Sequence, residues 1–171
     1  MPDLNHIIIR MRANADAIAA LASDLSDAQA RWKPAPEAWS LLEVVNHLYD
    51  EEREDFRTRV DYVLHRPGEQ PPPIDPDIWV TARAYNQRDL RESLDAFLHE
   101  RAISLEWLGG LPDPNWDAEY HTPWWGVLHA GDLLVAWLAH DHLHVRQLNE
   151  LHYAYLAQQA APYSVEYAGE W

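Results

Sequence analysis

Residues 131–151 read GDLLVAWLAHDHLHVRQLNEL. Leu133, Trp137, His140, His144, Gln147 and Leu151 recur at spacings of three and four, so a helix turning ~100° per residue gathers them on one stripe. The periodicity predicts a long helix from about Gly131 to about Ala160, ended before Pro162. The stripe is the face such a helix buries, and two of its members are histidines.

Working outward, Asp89 to Leu108 repeats the pattern with Leu90, Leu94, Leu98, Ala102, Leu105 and Leu108, and Gly109-Gly110 is its stop signal. Near the N-terminus Leu4, Ile7, Met11, Ala15, Ile18, Ala22 and Leu25 form a third stripe. Ser40 followed by Glu43 is a capping box that opens a further helix through LLEVVNHLYDEEREDFRTRVDYVLH, stopped at Pro67-Gly68. The intervening RPGEQPPPIDPD is too rich in proline to be regular, and LPDPNWDAEYHTPWWG reads as an aromatic loop. No alternating run or hairpin turn competes, so the expected class is all-α, one four-helix-bundle domain over residues 1–171.

Of the 171 residues, 47% are hydrophobic and nine are Trp, enough for a core without staples. A formal net charge of −15 opposes binding to phosphate backbones, so no nucleic-acid partner is expected. There is no cysteine; any metal must be held by His, Asp or Glu. No stretch approaches the ~18 apolar residues of a membrane span and no signal peptide is evident, so no membrane association and a cytoplasmic location are expected.

His140 and His144 lie ~40° apart around their helix and one turn apart along it, so both imidazoles can reach one ion. His47 sits on the second helix, on a turn that also carries Glu43, Asp50 and Glu51; these carboxylates could accept the second ring N–H of a ligating histidine or sit beside the ion. His142 points nearly opposite to His140. The bland alternative, ordinary histidines in a chain that has ten of them, stays open on spacing alone. The acidic run Asp50, Glu51, Glu52, Glu54, Asp55 reads as a solvated helix face, and the segment Trp116 to Trp125 as a bundle cap or an aromatic lid. His6, His65, His99, His121, His129 and His152 receive no role.

Two segments, RWKPAPEAWSLLEVVNHLYDEE and GVLHAGDLLVAWLAHDHLHVRQL, together resemble the DinB-like superfamily. In that family a W-S pair opens the second helix, a histidine follows seven residues after the serine, and the fourth helix carries H-x-x-x-H ahead of R-Q-[LI]. Ser40, His47, His140, His144, Arg146 and Gln147 occupy those places. The resemblance implies a bundle with a long crossover, a divalent ion (Zn, Ni or Fe) held by His47, His140 and His144 at one end of it, and frequently a homodimer. It also implies transfer of a low-molecular-weight thiol such as bacillithiol, mycothiol or glutathione to a small-molecule electrophile, or thiol-dependent isomerisation.

A dication lowers the pKa of a bound thiol, and a chain without Cys must draw that thiol from a cofactor. Trp137 and Gln147 are the residues expected to line its approach. The same open centre could serve a metal-dependent hydrolase, and a non-catalytic bundle with a structural metal is a third reading, favoured by a fourth protein ligand. No catalytic residue is singled out by the sequence. The expected homodimer is checked by light scattering at micromolar concentration, where a mass near the 19.8 kDa of one chain would contradict it.

Overall fold

The computed structural model describes residues 3–122 and 126–169. Its long elements are the predicted ones. Helix α1 spans Leu4–Ala22, capped by Asp3, and a short α2 covers Asp27–Arg31. The second bundle helix is a rod made of α3 (Leu41–Asp50), a π-helical turn (Glu51–Phe56) and α4 (Arg57–His65). Its start is the expected capping box: Ser40 N donates to Glu43 Oε2 at 2.7 Å and Glu43 N to Ser40 Oγ at 3.2 Å. The crossover then contains α5 (Pro76–Ala82) and a 3-10 turn, Tyr85–Gln87; proline is tolerated in the first turn, which lets α5 begin inside the proline-rich stretch. Helix α6 (Leu90–Gly109) and helix α7 (Ala130–Gln159) complete the bundle.

One expectation fails between them. The aromatic loop contains an antiparallel pair, β1 (Glu119–Thr122) and β2 (Gly126–His129), in register Glu119 to His129. Each strand is four residues long, too short for alternation to stand out, and Gly126 supplies the positive φ of 70° where the chain returns. Trp124 and Trp125 of the expected aromatic segment lie outside the described residues.

Helix α1 packs on α6 and α7, and so does the rod. The first and second bundle helices therefore stand at opposite corners, as do the third and fourth, while the second and third are neighbours. Directions follow from the pairs that meet. Asn14 faces Asp141 and Leu21 O faces His152, so α1 and α7 run parallel. Asn46 meets Ser93 and Arg57 meets Ser104, so the rod and α6 also run parallel. His47 meets His140 while Glu52 meets Trp137, which makes the rod antiparallel to α7. The order is up-down-down-up, and parallel neighbours of this kind demand the long crossover.

Two apolar clusters fill the bundle. One holds Ile18, Leu41, Val45, Leu48, Phe97 and Leu148; the other holds Ile7, Met11, Val60, Leu108, Leu134 and Trp137. A charged layer separates them. Arg101 of α6 bonds Glu52 through Nε and Nη2 at 2.8 Å each, and Asp141 through Nη1 and Nη2 at 2.8 and 2.7 Å. Its Nη1 also donates to Met11 O at 3.0 Å, so the guanidinium ties α6 to each of the other three bundle helices.

The acidic run is thus not a solvated face. Asp50, Glu51 and Glu52 are buried, because three successive residues cover more than half the circumference of a helix and the rod is covered on several sides. The crossover takes Asp50 and α6 takes Glu52. Replacing Arg101 by Leu leaves the buried carboxylates of Glu52 and Asp141 without a counter-charge, a loss of about 3–5 kcal/mol. The urea midpoint is expected to fall accordingly, and an unchanged midpoint would contradict this account of the layer.

Candidate metal centre

The charged layer sets the level of the histidines. Asp141, fixed by Arg101, adjoins His140, and one turn further along α7 comes His144. From the rod His47 reaches across. His47 Nε2 lies 3.2 Å from His140 Nε2, and His144 Nε2 lies 3.0 Å from the same atom. The three therefore converge within the length of the bundle, beside its polar middle, rather than at its tip.

The surroundings orient each ring. Trp39 lies 4.8 Å from the His47 ring and parallel to that of His144 at 6.4 Å between centroids. Phe56 touches His140, at 5.0 Å between centroids. Gln147 Oε1 is 2.8 Å from His144 Nδ1; an amide oxygen only accepts, so the proton sits on Nδ1 and the Nε2 lone pair faces the other two rings.

This donor set fits a divalent ion. Around a tetrahedral ion with metal–nitrogen bonds of about 2.0–2.1 Å, the nitrogens stand about 3.3–3.4 Å apart. The observed separations are within a few tenths of an ångström of that. Burial lowers the pKa of all three rings, to about 3 for His47 and about 2 for His140, where neighbouring imidazoles add to the effect, while at His144 Gln147 and Asp141 oppose it. At neutral pH they are neutral and able to ligate.

Each candidate carboxylate of the His47 turn has a distinct fate. Glu43 holds the Ser40 amide and Lys33 Nζ, the latter at 2.8 Å. Asp50 accepts from Tyr85 Oη at 2.5 Å, Arg83 at 2.7 Å and Arg53 at 3.0 Å, which hold its pKa below the ordinary range although burial opposes them. Glu51 is buried, and burial, reinforced by the charge of Asp55, pushes its pKa up to about 9. No carboxylate oxygen joins the three imidazole nitrogens among the described residues.

The two residues expected to line a thiol's approach separate. Trp137 is fully buried, its indole N–H donating to Glu52 Oε2 at 2.9 Å and its ring stacked on Phe56, so it belongs to the core. Gln147 does line an open cavity of about 620 Å³ beside the triad, with Trp39, Leu151, Tyr153 and the carboxylates of Glu37 and Glu150. Sequence reasoning missed Trp39 as a site residue, although it is half of the W-S pair. It also missed Arg101, whose signal was a charge seven residues after Leu94 and four before Leu105, on the apolar stripe itself.

An up-down-down-up bundle carrying a buried three-histidine centre between its second and fourth helices defines a recognisable class of α-helical protein. The chain belongs to the DinB superfamily, whose sequence profile matches residues 10–148. YfiT from Bacillus subtilis, described as a probable metal-dependent hydrolase with an unusual four-helix bundle topology, is similar in structure, with a TM-score of 0.77 and 18% identity over 88% of this chain and 86% of that one. No curated protein matches the sequence. Among the described residues no helix is long and apolar enough to cross a membrane.

The raised pKa of Glu51 has a definite sign. The folded protein keeps a proton that the unfolded chain releases above about 4.5, so this group makes stability fall as pH rises toward about 9. Glu51→Gln removes the effect. The variant's melting temperature in metal-free buffer is expected to exceed the wild type's by more at pH 9 than at pH 5, and an equal difference at both would count against the shift.

Proposed function

We propose that the protein is a metal-dependent hydrolase of small molecules, holding one divalent ion through His47, His140 and His144. The observation that carries this reading is the convergence of three neutral imidazole nitrogens with no fourth protein ligand among the described residues. A closed structural site would engage a fourth side chain, whereas three protein ligands leave a position open. When bound, the ion supplies Lewis acidity that lowers the pKa of a water at that position.

The chain's own residues supply the rest. Gln147 orients His144, while Trp39 walls the histidines and forms part of the adjoining cavity, whose volume suits a small molecule. Phe56, Trp137 and the apolar cluster behind them keep water from the buried side of the rings. Thiol transfer is the second reading, supported by Gln147, which lines the cavity and touches a candidate ligand. The cavity is lined by Glu37 and Glu150, the latter paired with Arg146, and among the described residues by no basic side chain, which disfavours the anionic thiols and puts hydrolysis first.

Elemental analysis of protein purified without an affinity tag is expected to give one equivalent of metal, lost in His47→Ala and in His144→Ala. Unperturbed imidazoles would release the metal below about pH 6. The lowered pKa values move that release to more acidic solution, so retention at pH 5.5 is expected. Chromogenic esters with and without added thiol separate the two reactions. Full metal occupancy in both histidine variants would overturn the assignment.

A further inference from the structure

Among the described residues, two buried side-chain polar atoms have no hydrogen-bond partner: His47 Nδ1 and Glu51 Oε1. Buried polar groups are almost always paired, so each exception calls for a cause. Here both exceptions belong to one face of one helical segment, four residues apart, at the edge of the histidine centre. We propose that Glu51 is a positioning residue of that centre, its Oε1 accepting the Nδ1–H of His47 when His47 Nε2 is committed to the ion. This inference rests on the metal reading above.

The chemistry of the two atoms is complementary. A neutral imidazole that offers its Nε2 lone pair carries its proton on Nδ1, and that N–H needs an acceptor. A carboxyl oxygen accepts whether or not the group is ionised. Helical side chains lean toward the helix N-terminus, which brings residue i+4 back over residue i and so Glu51 over His47. Glu51 also opens the π-helical turn, a local widening that recurs at functional sites.

Elimination gives the same answer. Glu43 and Asp50 spend their oxygens on Ser40, Lys33, Tyr85, Arg83 and Arg53. Of the three carboxylates on the His47 turn, Glu51 alone keeps a buried oxygen free. It stands outside the cluster of imidazole nitrogens, which suits an outer partner rather than a ligand. The second histidine shows the completed arrangement: His144 Nδ1 donates to Gln147 Oε1, an oxygen carried by the following turn of its own helix. Outer acceptors of this kind fix ring orientation and raise the basicity of the ligating nitrogen.

The test compares wild type, Glu51→Gln and Glu51→Leu, each first shown by circular dichroism to be folded. Zn²⁺ affinity is measured by competition with a chelating dye, and imidazole N–H signals of the Zn²⁺-loaded proteins are recorded by ¹⁵N NMR, the His47 signal being assigned by through-bond correlation from its ring protons to its own backbone. Glu51→Leu is expected to bind Zn²⁺ about 10–100-fold more weakly. Glu51→Gln, which keeps an acceptor oxygen, is expected to recover most of that loss. The loaded wild type should show a slowly exchanging His47 Nδ1–H that persists in Glu51→Gln and is shifted or lost in Glu51→Leu.

Unchanged affinity in Glu51→Leu, or equal losses in both variants, would overturn the proposal, the second result pointing to a carboxylate that ligates directly. Should Glu51→Leu fail to fold, absence of the His47 Nδ1–H signal from the loaded wild type would overturn it alone. A wild type that takes up no Zn²⁺ sinks the metal reading and this inference with it, whereas tight Zn²⁺ binding indifferent to position 51 sinks this inference only.

Discussion

A single guanidinium ties the bundle together. Arg101 is buried among Glu52, Asp141 and the Met11 carbonyl, one partner from each of the other three helices. Buried charges of this kind add little net stability over a well-packed apolar core, but they forbid alternatives, because any slip of one helix strands a charge. The layer therefore acts on register. With Asp141 fixed, His140 is fixed beside it; with Glu52 fixed, the π-helical turn and its neighbour Glu51 have their places. The convergence of nitrogens from two helices to about 3 Å depends on that alignment.

Much of this was legible in the sequence, for identifiable reasons. The four long helices follow from stripes at spacings of three and four, and the start of α3 from Ser40 and Glu43. The H-x-x-x-H spacing placed His140 and His144 on one face, His47 stood out as a candidate on the second helix, and the resemblance joined the three; the structure brings them together. What stayed hidden depends on contacts between distant segments. The acidic run resembled a solvated surface because nothing local announces that residues 83–85 of the crossover will cover Asp50, or that α6 will deliver Arg101 to Glu52. Trp137 shares a stripe with the histidines, yet a stripe is wider than a site. Its position one turn before His140 places it in the core against Phe56, while Trp39, distant in sequence, walls the centre.

The carboxylates of the His47 turn show how burial alone fails to identify function. Glu43, Asp50 and Glu51 are all buried, within nine residues of one another. Glu43 is a helix cap that also binds a lysine, and Asp50 is a clasp between the rod and the crossover. Both are explained by the fold. Only the residue whose bonding the fold leaves incomplete needs an explanation beyond it.

The placement of the first two helices, and of the last two, at opposite corners bears on how the chain acquires its shape. In a bundle of simple hairpins, the first two helices can bury their stripes against each other as soon as both exist. Here α1 and the rod are diagonal, and so are α6 and α7. The one consecutive pair that packs, the rod and α6, is parallel and must wait for the crossover between them, and the apolar stripe of α1 has no adjacent partner in the bundle until α6 and α7 exist. Docking must proceed through contacts spanning much of the sequence, such as Asn14 with Asp141. Closing such loops is entropically costly and slows the search relative to helical proteins rich in local contacts. Assembly is correspondingly cooperative, with half of the molecule unable to stand as a unit without the other.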